Sequence, residues 1–419
     1  MEGIVEGCLG FLYDLLVVIC VGLLLLQVAE GRSVRLLVLL VVSGVMLSCL
    51  VHSSALKVGL VSVLCSLIHY VGREEVMLPT KNKAVLITGK TLSCLVLSDC
   101  CWLNSLVLVS GCDSGFGHDL ARFLDSAGMR VFAGLLDELS PGALKLKKDA
   151  SPNLTVLQLD ITNSSQITQT SALMLFFMTH LLWTGLWALV NNAGVLGYMC
   201  DGEILPIKMY KKCLDVNFIG SVEITQAFLP LIRQSKGRLI SISSMAGEVP
   251  LPGFAGYGAS KAALISFNGA IRQELSRWGV KVIIIQPGAF KTSENKDPFT
   301  PRTITILMTI SVHTNRHLMV SYGEEYIRSM QQRLVNMSSV SSSDTGPFLE
   351  ALKHAILSPR PKPFYYPGAS AWALPLLYRH SPTSLSDRIL SRIFMSSDAQ
   401  PCRLSSLNKN KNLKKKSIA

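Results

Sequence analysis

The chain has 419 residues, a formal net charge of +12 and only 16% charged residues against 49% hydrophobic ones. Ordinary soluble domains carry roughly 25% charged residues, so this composition excludes a disordered or highly charged chain and asks for an apolar, membrane-facing portion. Much of the positive excess lies in the terminal "NKNKNLKKKSIA", with no aromatic residues interleaved, which argues for no nucleic-acid partner.

The apolar excess begins at the front. Residues 8–28, "CLGFLYDLLVVICVGLLLLQV", are long enough to cross a bilayer, which takes ~20 residues; two more apolar runs follow near 34–52 and 54–72. Glu2 and Glu6 stand where a cleaved signal peptide carries Lys or Arg. Arg32 and Arg35 follow the first run, and Arg73, Lys81 and Lys83 follow the third. Positive charge favours the cytosolic side. The expectation is a membrane anchor over 1–80, with membrane lipid as its partner and the rest of the chain in the cytosol. One span plus a buried apolar hairpin is the alternative. Eleven cysteines show no C-x-x-C and no zinc spacing, so buried free thiols and no metal site are expected.

From about 84 to 290, apolar runs alternate with helix-like segments. The strand candidates after the first are "MRVFAGLLD" (129–137), "NLTVLQLDIT" (153–162), "LWALVNNAG" (186–194), "GRLISISSMAG" (237–247) and "VKVIIIQPG" (280–288). Each is short, rich in branched aliphatics and closed by turn residues. Continuous apolar strands between helices predict a doubly wound α/β fold of Rossmann type, with a parallel sheet covered on both faces. Ligands of such sheets bind beyond the carboxyl ends of the strands. "TSALMLFFMTHLLW" (170–183) falls where a surface helix belongs, yet is too apolar to wet one face and too short to span a membrane. "YGEEYIRSMQQRLVNM" (322–337) has helical character.

The first strand is written twice. "AVLITG" (84–89) and "SLVLVSG" (105–111) are both apolar runs ending in glycine, but only the second runs directly into "CDSGFGHDLARFLDSAG". A turn must follow its strand without a gap, which favours 105–110 as the strand. If 84–89 led instead, residues 90–111 would have to leave and return as a closed loop that hides two apolar runs. Either way Gly111, Gly115, Phe116 and Gly117 form a glycine turn where backbone comes close to a pyrophosphate on the N-terminus of a helix starting near His118. Asp137 lies 20 residues past Gly117, the distance at which an acid meets the adenosine ribose. With no Lys or Arg at Ser114, Leu135 or Leu136, the sequence predicts NAD rather than NADP.

Tyr257 and Lys261 stand four apart in "YGASK", on one face of a helix. A neighbouring ammonium favours the phenolate, and a phenolate can take a proton from an alcohol as hydride leaves its carbon. Alone the spacing is weak. Ser244, "NNAG" (191–194), Asn217 and "PG" (287–288) give it company, since all but Asn217 follow strand ends on one edge of the expected sheet.

Together these motifs resemble the short-chain dehydrogenase/reductase family over roughly 84–290, and more loosely to about 370. The resemblance implies a catalytic tetrad of Asn217, Ser244, Tyr257 and Lys261. Ser244 would hold the substrate oxygen, Lys261 would also bind the nicotinamide ribose, and Asn217 would position a water. Asp160 and Ile161 would approach the adenine, Asn192, Ala193 and Gly194 the adenosine side, and the segment from Pro287 and Gly288 to Thr292 the carboxamide. Longer phrases such as "GLWALVNNAGVLG" and "FYYPG" are similar to the membrane-bound steroid and retinoid branch. That implies NAD-dependent oxidation of a steroid 17β-hydroxyl of the estradiol and testosterone kind, at the endoplasmic reticulum membrane. An 11β-hydroxysteroid or retinol is the alternative substrate, and a homodimer is compatible. The chain would comprise an anchor (1–80), a catalytic domain (81–375) and a C-terminal segment (376–419) whose lysines resemble a retrieval signal.

Three departures stand out, one of them over residues 170–184. Thr88 and Gly89 fit the start of the family's glycine motif, which makes 90–111 an apparent insertion; a true insertion or an unspliced stretch of transcript both account for it. An inactive membrane scaffold follows if that interruption destroys the cofactor loop. The stretch 293–320, where the family keeps its substrate lid, also strays from the pattern.

Overall fold

Short branched-aliphatic runs, most of them buried along nearly their whole length, build the frame. In the computed structural model the described residues are 106–180, 185–290, 316–326, 329–330, 341–395 and 400–404, with Val17, Val58 and 61–63. The chain divides into two compact units, Met1–Val76 and Met77–Ala419. The elements below belong to the second. Apart from Val17, Val58 and 61–63, the expected spans lie outside the described residues, as do the run 84–89, residues 90–105 and the basic tail. Among the described residues, no helix is long and apolar enough to cross a membrane.

The strands are β1 (Leu106–Ser110), β2 (Arg130–Leu135), β3 (Leu154–Gln158), β4 (Leu186–Asn191), β5 (Arg238–Ile242), β6 (Lys281–Ile285) and β7 (Phe364–Tyr365). They form one sheet in the order β3-β2-β1-β4-β5-β6-β7, parallel at every pairing. The doubly wound expectation therefore holds. β1 is the 105–110 run, paired with both β2 and β4 at the centre. The short β7, from the "FYYPG" phrase, extends the sheet beyond the strands expected from periodicity.

Alternation along each strand decides what packs where, because successive side chains point to opposite faces. Val107 and Val109 of β1, with Val131, Ala133 and Val190, meet α1 (Gly115–Ser126), α2 (Pro141–Asp149) and α8 (Gly346–Leu357). Leu106 and Leu108, with Phe132 and Leu189, meet α3 (Ser164–His180), α5 (Ser221–Gln234) and α6 (Ala255–Ser276) on the other face. Fully burying such a side chain contributes about 1.5–3 kcal/mol. The remaining helices are α4 (Ile207–Leu214), which runs into a π-helical turn (Asp215–Gly220), α7 (Arg316–Tyr322), α9 (Ala369–His380) and α10 (Thr383–Phe394).

The apolar stretch from 170 belongs to α3. Met174 is buried and Phe177 packs 5.7 Å from Phe132, while Leu175 and Phe176 stay exposed. Its polar first half, Ser164–Ser171, and its apolar second half thus form one helix, with one side on the sheet and Leu175 and Phe176 on the outward side. Helix α1 starts at Gly115 rather than near His118: the glycine turn itself winds into the first helical turn. Residue 375, the expected end of the catalytic domain, falls inside α9. Of the thiols described, Cys112, Cys200 and Cys213 are buried and Cys402 is exposed. Burial pushes the Cys200 thiol up to about 12, so it is a packing group rather than a nucleophile.

Three rings support the glycine turn from below. Phe116 stacks on Phe348 of α8 at 3.8 Å and meets Phe290 edge-on at 5.6 Å. Phe348→Ala should cost about 3–5 kcal/mol, as expected for an emptied aromatic site. Urea unfolding followed by circular dichroism measures the loss, and a midpoint unchanged from wild type would show that the cluster is not part of the core.

Candidate active site

The site forms where the sheet splits. β1 runs on to α1, and its neighbour β4 runs on toward the opposite layer, so a crevice opens between their carboxyl ends. Ser110 and Asn192 tie the two ends together. The Ser110 hydroxyl donates to the Val190 carbonyl at 3.3 Å and accepts the N–H groups of Asn192 and Ala193 at 3.1 and 3.2 Å. The Asn192 amide donates to the carbonyls of Ser110 and Gly111 at 3.1 and 3.0 Å. Ser110–Gly111 thus stand where Thr88–Gly89 were expected to match, and the glycine turn is continuous with its strand.

The turn fits a dinucleotide by its emptiness. Gly111 has a φ of 69°, and a Cβ there would sit 2.7 Å from Ala193 Cα; one on Gly117 would sit 2.2 Å from the Gly111 carbonyl oxygen. Only hydrogen atoms allow α1 to approach the strand end this closely. Ser114 precedes α1 in extended backbone with no side-chain cap, and the first turn carries no acidic residue. The helix therefore presents first-turn N–H groups without a protein side chain to neutralise them, as an anion site requires. The Phe116 ring is turned into the aromatic cluster, which leaves its backbone to the turn.

At the end of β2, Asp137 is exposed, and its Oδ1 accepts the Leu139 N–H at 2.9 Å. Asp113, unremarked in the sequence, binds this corner to the glycine turn: its carboxylate accepts the N–H groups of Leu136 and Asp137 at 3.0 and 3.1 Å. Two carboxylates thus stand at the expected ribose position. Asp160 closes its own loop through Oδ1, which accepts the N–H and the hydroxyl of Thr162 at 2.8 and 2.7 Å. Ile161 is buried against Gly220 of the π turn. Pro287 and Gly288 follow β6; the Pro287 carbonyl accepts the Met245 N–H at 3.3 Å, and the Gly288 N–H donates to Pro367 at 3.0 Å. Thr292 lies outside the described residues.

The four tetrad positions come together beyond β4 and β5. Ser244 opens a tight turn after β5, half-buried, with its hydroxyl accepting the Ala246 N–H at 3.2 Å. Tyr257 and Lys261 lie on one face of α6, with Lys261 Nζ 5.8 Å from the Tyr257 ring centroid. The Lys261 ammonium is buried and donates to the Ile242 carbonyl at 2.8 Å. Gly194 lies beside both helices: a Cβ there would come 3.2 Å from Asn217 Oδ1 and 3.3 Å from Lys261 Nζ. Asn217, wholly buried in the π turn, accepts the Val195 N–H at 2.7 Å and donates to the Val195 carbonyl and to Ser260 Oγ, both at 2.9 Å. Ser260 in turn donates to the Tyr257 carbonyl at 2.7 Å. The extra backbone of a π turn is frequent at functional sites; here it swings Asn217 inward. The Asn217 side chain is committed to this chain of bonds, which runs from the β4 loop to the helix of Tyr257. Ser260 was not legible, because a serine inside "YGASK" has no distinguishing spacing.

An apolar wall adjoins Tyr257. Met199, Val249, Leu251 and Phe254 pack with Leu390 and Phe394 of α10, and Leu374 and Tyr378 of α9 lie against them. Arg379 of α9 pairs with Glu248, four residues past Ser244, and this ion pair anchors the C-terminal helices to the Ser244 turn.

These features define an oxidoreductase of the doubly wound class. The short chain dehydrogenase model matches residues 105–303, and the chain belongs to that family, with a nicotinamide dinucleotide as its cofactor. It is 40% identical over 351 residues to estradiol 17-beta-dehydrogenase 2 of Mus musculus, covering 83% of this chain and 84% of that one. It is 39% identical over 343 residues to 17-beta-hydroxysteroid dehydrogenase type 2 of Homo sapiens, covering 82% and 81%. With 11-beta-hydroxysteroid dehydrogenase type 2 of Bos taurus it shares 40% over 292 residues, covering 69% and 70%. Among solved structures, a short-chain dehydrogenase from Streptomyces avermitilis superposes with a TM-score of 0.53 at 21% identity, over 69% of this chain and 96% of that one. At that identity the likeness speaks to the fold.

Gly117→Ala should weaken dinucleotide binding on the order of tenfold or more, since about 1.4 kcal/mol of misfit suffices and the obstructing atom is backbone. Quenching of NADH fluorescence measures it, with circular dichroism as the check on folding; wild-type affinity in a folded variant would remove the turn from the site.

Proposed function

We propose that this chain oxidises the 17β-hydroxyl of a steroid to the ketone, using NAD. The observation that carries the reading is the buried Lys261 ammonium on the Tyr257 helix, 5.8 Å from the Tyr257 ring and beside Gly194, with the turn opened by Ser244 packed on the same helix, the uncapped α1 at the same sheet edge and an apolar wall against Tyr257. The likeness to estradiol 17-beta-dehydrogenase 2 over most of both chains supports the substrate. The likeness to an 11-beta-hydroxysteroid dehydrogenase supports a second reading, oxidation at the 11β position.

When bound, the nicotinamide supplies the acceptor for the hydride that leaves the alcohol carbon. The chain's own groups handle the proton and the orientation. The Ser244 hydroxyl donates to the substrate oxygen and holds it against the Tyr257 phenol. Tyr257 takes the hydroxyl proton as general base. The Lys261 ammonium favours negative charge on the phenol oxygen and, held by the Ile242 carbonyl, stays in place for the ribose. A water for proton release would be held through the Asn217 main-chain carbonyl, because its side-chain amide is already committed. Asp137 binds the adenosine ribose hydroxyls. The carboxylates of Asp113 and Asp137 together would repel a 2′-phosphate, which supports NAD over NADP.

The apolar runs within 1–80 would anchor the enzyme in the endoplasmic reticulum membrane, with the catalytic unit on the cytosolic side. A lipid bilayer also concentrates a sterol substrate.

Turnover in microsomes with NAD and a panel of estradiol, cortisol and retinol tests the substrate. Estradiol is expected to react fastest; preference for cortisol would favour the 11β reading, and no turnover of any would defeat the proposal. Tyr257→Phe should lower kcat roughly 10²–10⁴-fold, the range of general acid–base catalysis, with NADH binding unchanged. Substantial residual turnover would contradict its role as base. Asp137→Arg should shift the ratio of kcat/KM toward NADP by roughly tenfold or more, the effect of about 1.4 kcal/mol; an unchanged ratio would remove Asp137 from the ribose.

A further inference from the structure

The helix-like phrase "YGEEYIRSM" and the loop "CDGEIL" after β4 have no part in the chemistry above, yet the fold brings them together. Tyr326 is buried, and its phenol donates to Asp201 Oδ2 at 2.8 Å. Tyr322, at the end of α7, donates to Glu203 Oε2 at 2.7 Å. The two rings lie 5.6 Å apart. Gly323 between them has a φ of 78°, a left-handed kink that a side chain would oppose. The kink ends α7 and lets both phenols reach the same loop. Around the two bonds, Leu318, Tyr326 and Met330 pack with Tyr198, Ile204 and Leu205.

The loop so gripped leads straight to the candidate base. The Cys200 N–H donates to the Gly253 carbonyl at 3.2 Å. A Cβ on Gly256 would sit 3.0 Å from Leu205. Gly256 immediately precedes Tyr257. Asp201 also carries the turn into α4, because its carbonyl accepts the N–H groups of Ile204 and Leu205 at 2.9 and 3.1 Å. Burial and the Glu203 hydrogen bond both push the Tyr322 phenol up, so it remains a proton donor to the carboxylate throughout the neutral range.

We propose that Tyr322 and Tyr326, through Glu203 and Asp201, latch the segment 316–326 onto the loop beside Tyr257 and thereby act as positioning residues for substrate affinity. The proposal rests on the reading of the Tyr257 face as the substrate side. Opening of the segment would break two phenol–carboxylate bonds at once, and each is of the stronger, charge-assisted kind. The latch holds the segment closed over bound substrate, so its loss speeds substrate departure while the proton transfer at Tyr257 is untouched.

The test compares Tyr326→Phe, Tyr322→Phe and Asp201→Asn with wild type in the full-length protein. Two readouts are taken: hydrogen–deuterium exchange of peptides within 316–326, and KM and kcat for estradiol with NAD. Each Tyr→Phe variant should raise exchange in that segment about tenfold and KM roughly 5- to 20-fold, from the loss of one hydrogen bond to a charged group, with kcat unchanged or higher. Asp201→Asn keeps an acceptor oxygen and should stay within about threefold of wild type. A purely structural role would instead lower the melting temperature and kcat together. Unchanged exchange in both phenylalanine variants overturns the latch, and raised exchange with unchanged KM overturns its role in affinity. If Tyr326→Phe fails to fold, Tyr322→Phe, whose ring is half-exposed, decides. If the wild type turns over no estradiol, the substrate reading fails and the affinity role with it, and the exchange data alone then decide whether the latch exists.

Discussion

One serine hydroxyl and one asparagine amide hold the two central strand ends in register, and the rest of the site is hung from them. Ser110–Gly111 and Asn192–Ala193 share four hydrogen bonds across the ends of β1 and β4, two of them directly between Ser110 and Asn192, with the Ser110 hydroxyl itself donating onward to Val190. Ser110 is buried, so removing either partner would leave donors or acceptors unsatisfied at roughly 1–3 kcal/mol each. On one side of this knot the chain turns through Gly111 into α1. On the other it runs through Gly194 to meet Asn217 and Lys261. The positions of α1 and of the Asn217–Lys261 side of the candidate site are therefore tied to neighbouring strands of one sheet.

A second network carries that register to the chemistry. From Val195 the bonds pass through Asn217 to Ser260 and then to the main chain of Tyr257. Each member is buried or half-buried and bonded to the next, an arrangement that restricts its rotamers. The π turn explains how a helix can deliver Asn217 here: an ordinary α-helical residue at that place would direct its side chain elsewhere around the axis. For a dehydrogenase this matters because base, hydroxyl donor and dinucleotide must be aligned before the reaction, and misplacement by about 1 Å can cost ~10²-fold in rate.

The apolar wall beside Tyr257 and the segments next to it are built differently. Their parts come from segments that follow β4, β5 and β6 and from the two C-terminal helices, joined by apolar contacts, the Glu248–Arg379 pair and the two phenol–carboxylate bonds.

What a sequence makes legible is what depends on short range. The continuous apolar runs at 106–110 and 281–285, the glycine spacing from Gly111 to Gly117, and the one-turn spacing of Tyr257 and Lys261 all express local geometry, so the doubly wound fold could be read directly, and the family through the motifs that resemble it. The apolar segment from 170 was harder, because hydrophobicity without periodicity does not say which side of a helix meets the sheet. The choice between 84–89 and 105–110 was open to local reasoning, and pairing of Leu106–Ser110 with both β2 and β4 decided it. Asp113 at the end of β2, Ser260 beneath Asn217, the rings of Phe116, Phe290 and Phe348, and the tyrosines facing Asp201 and Glu203 join residues tens to hundreds of positions apart. Their partners are chosen only when the strands align and the layers close, since a side chain's neighbours across space leave no trace in its neighbours along the chain.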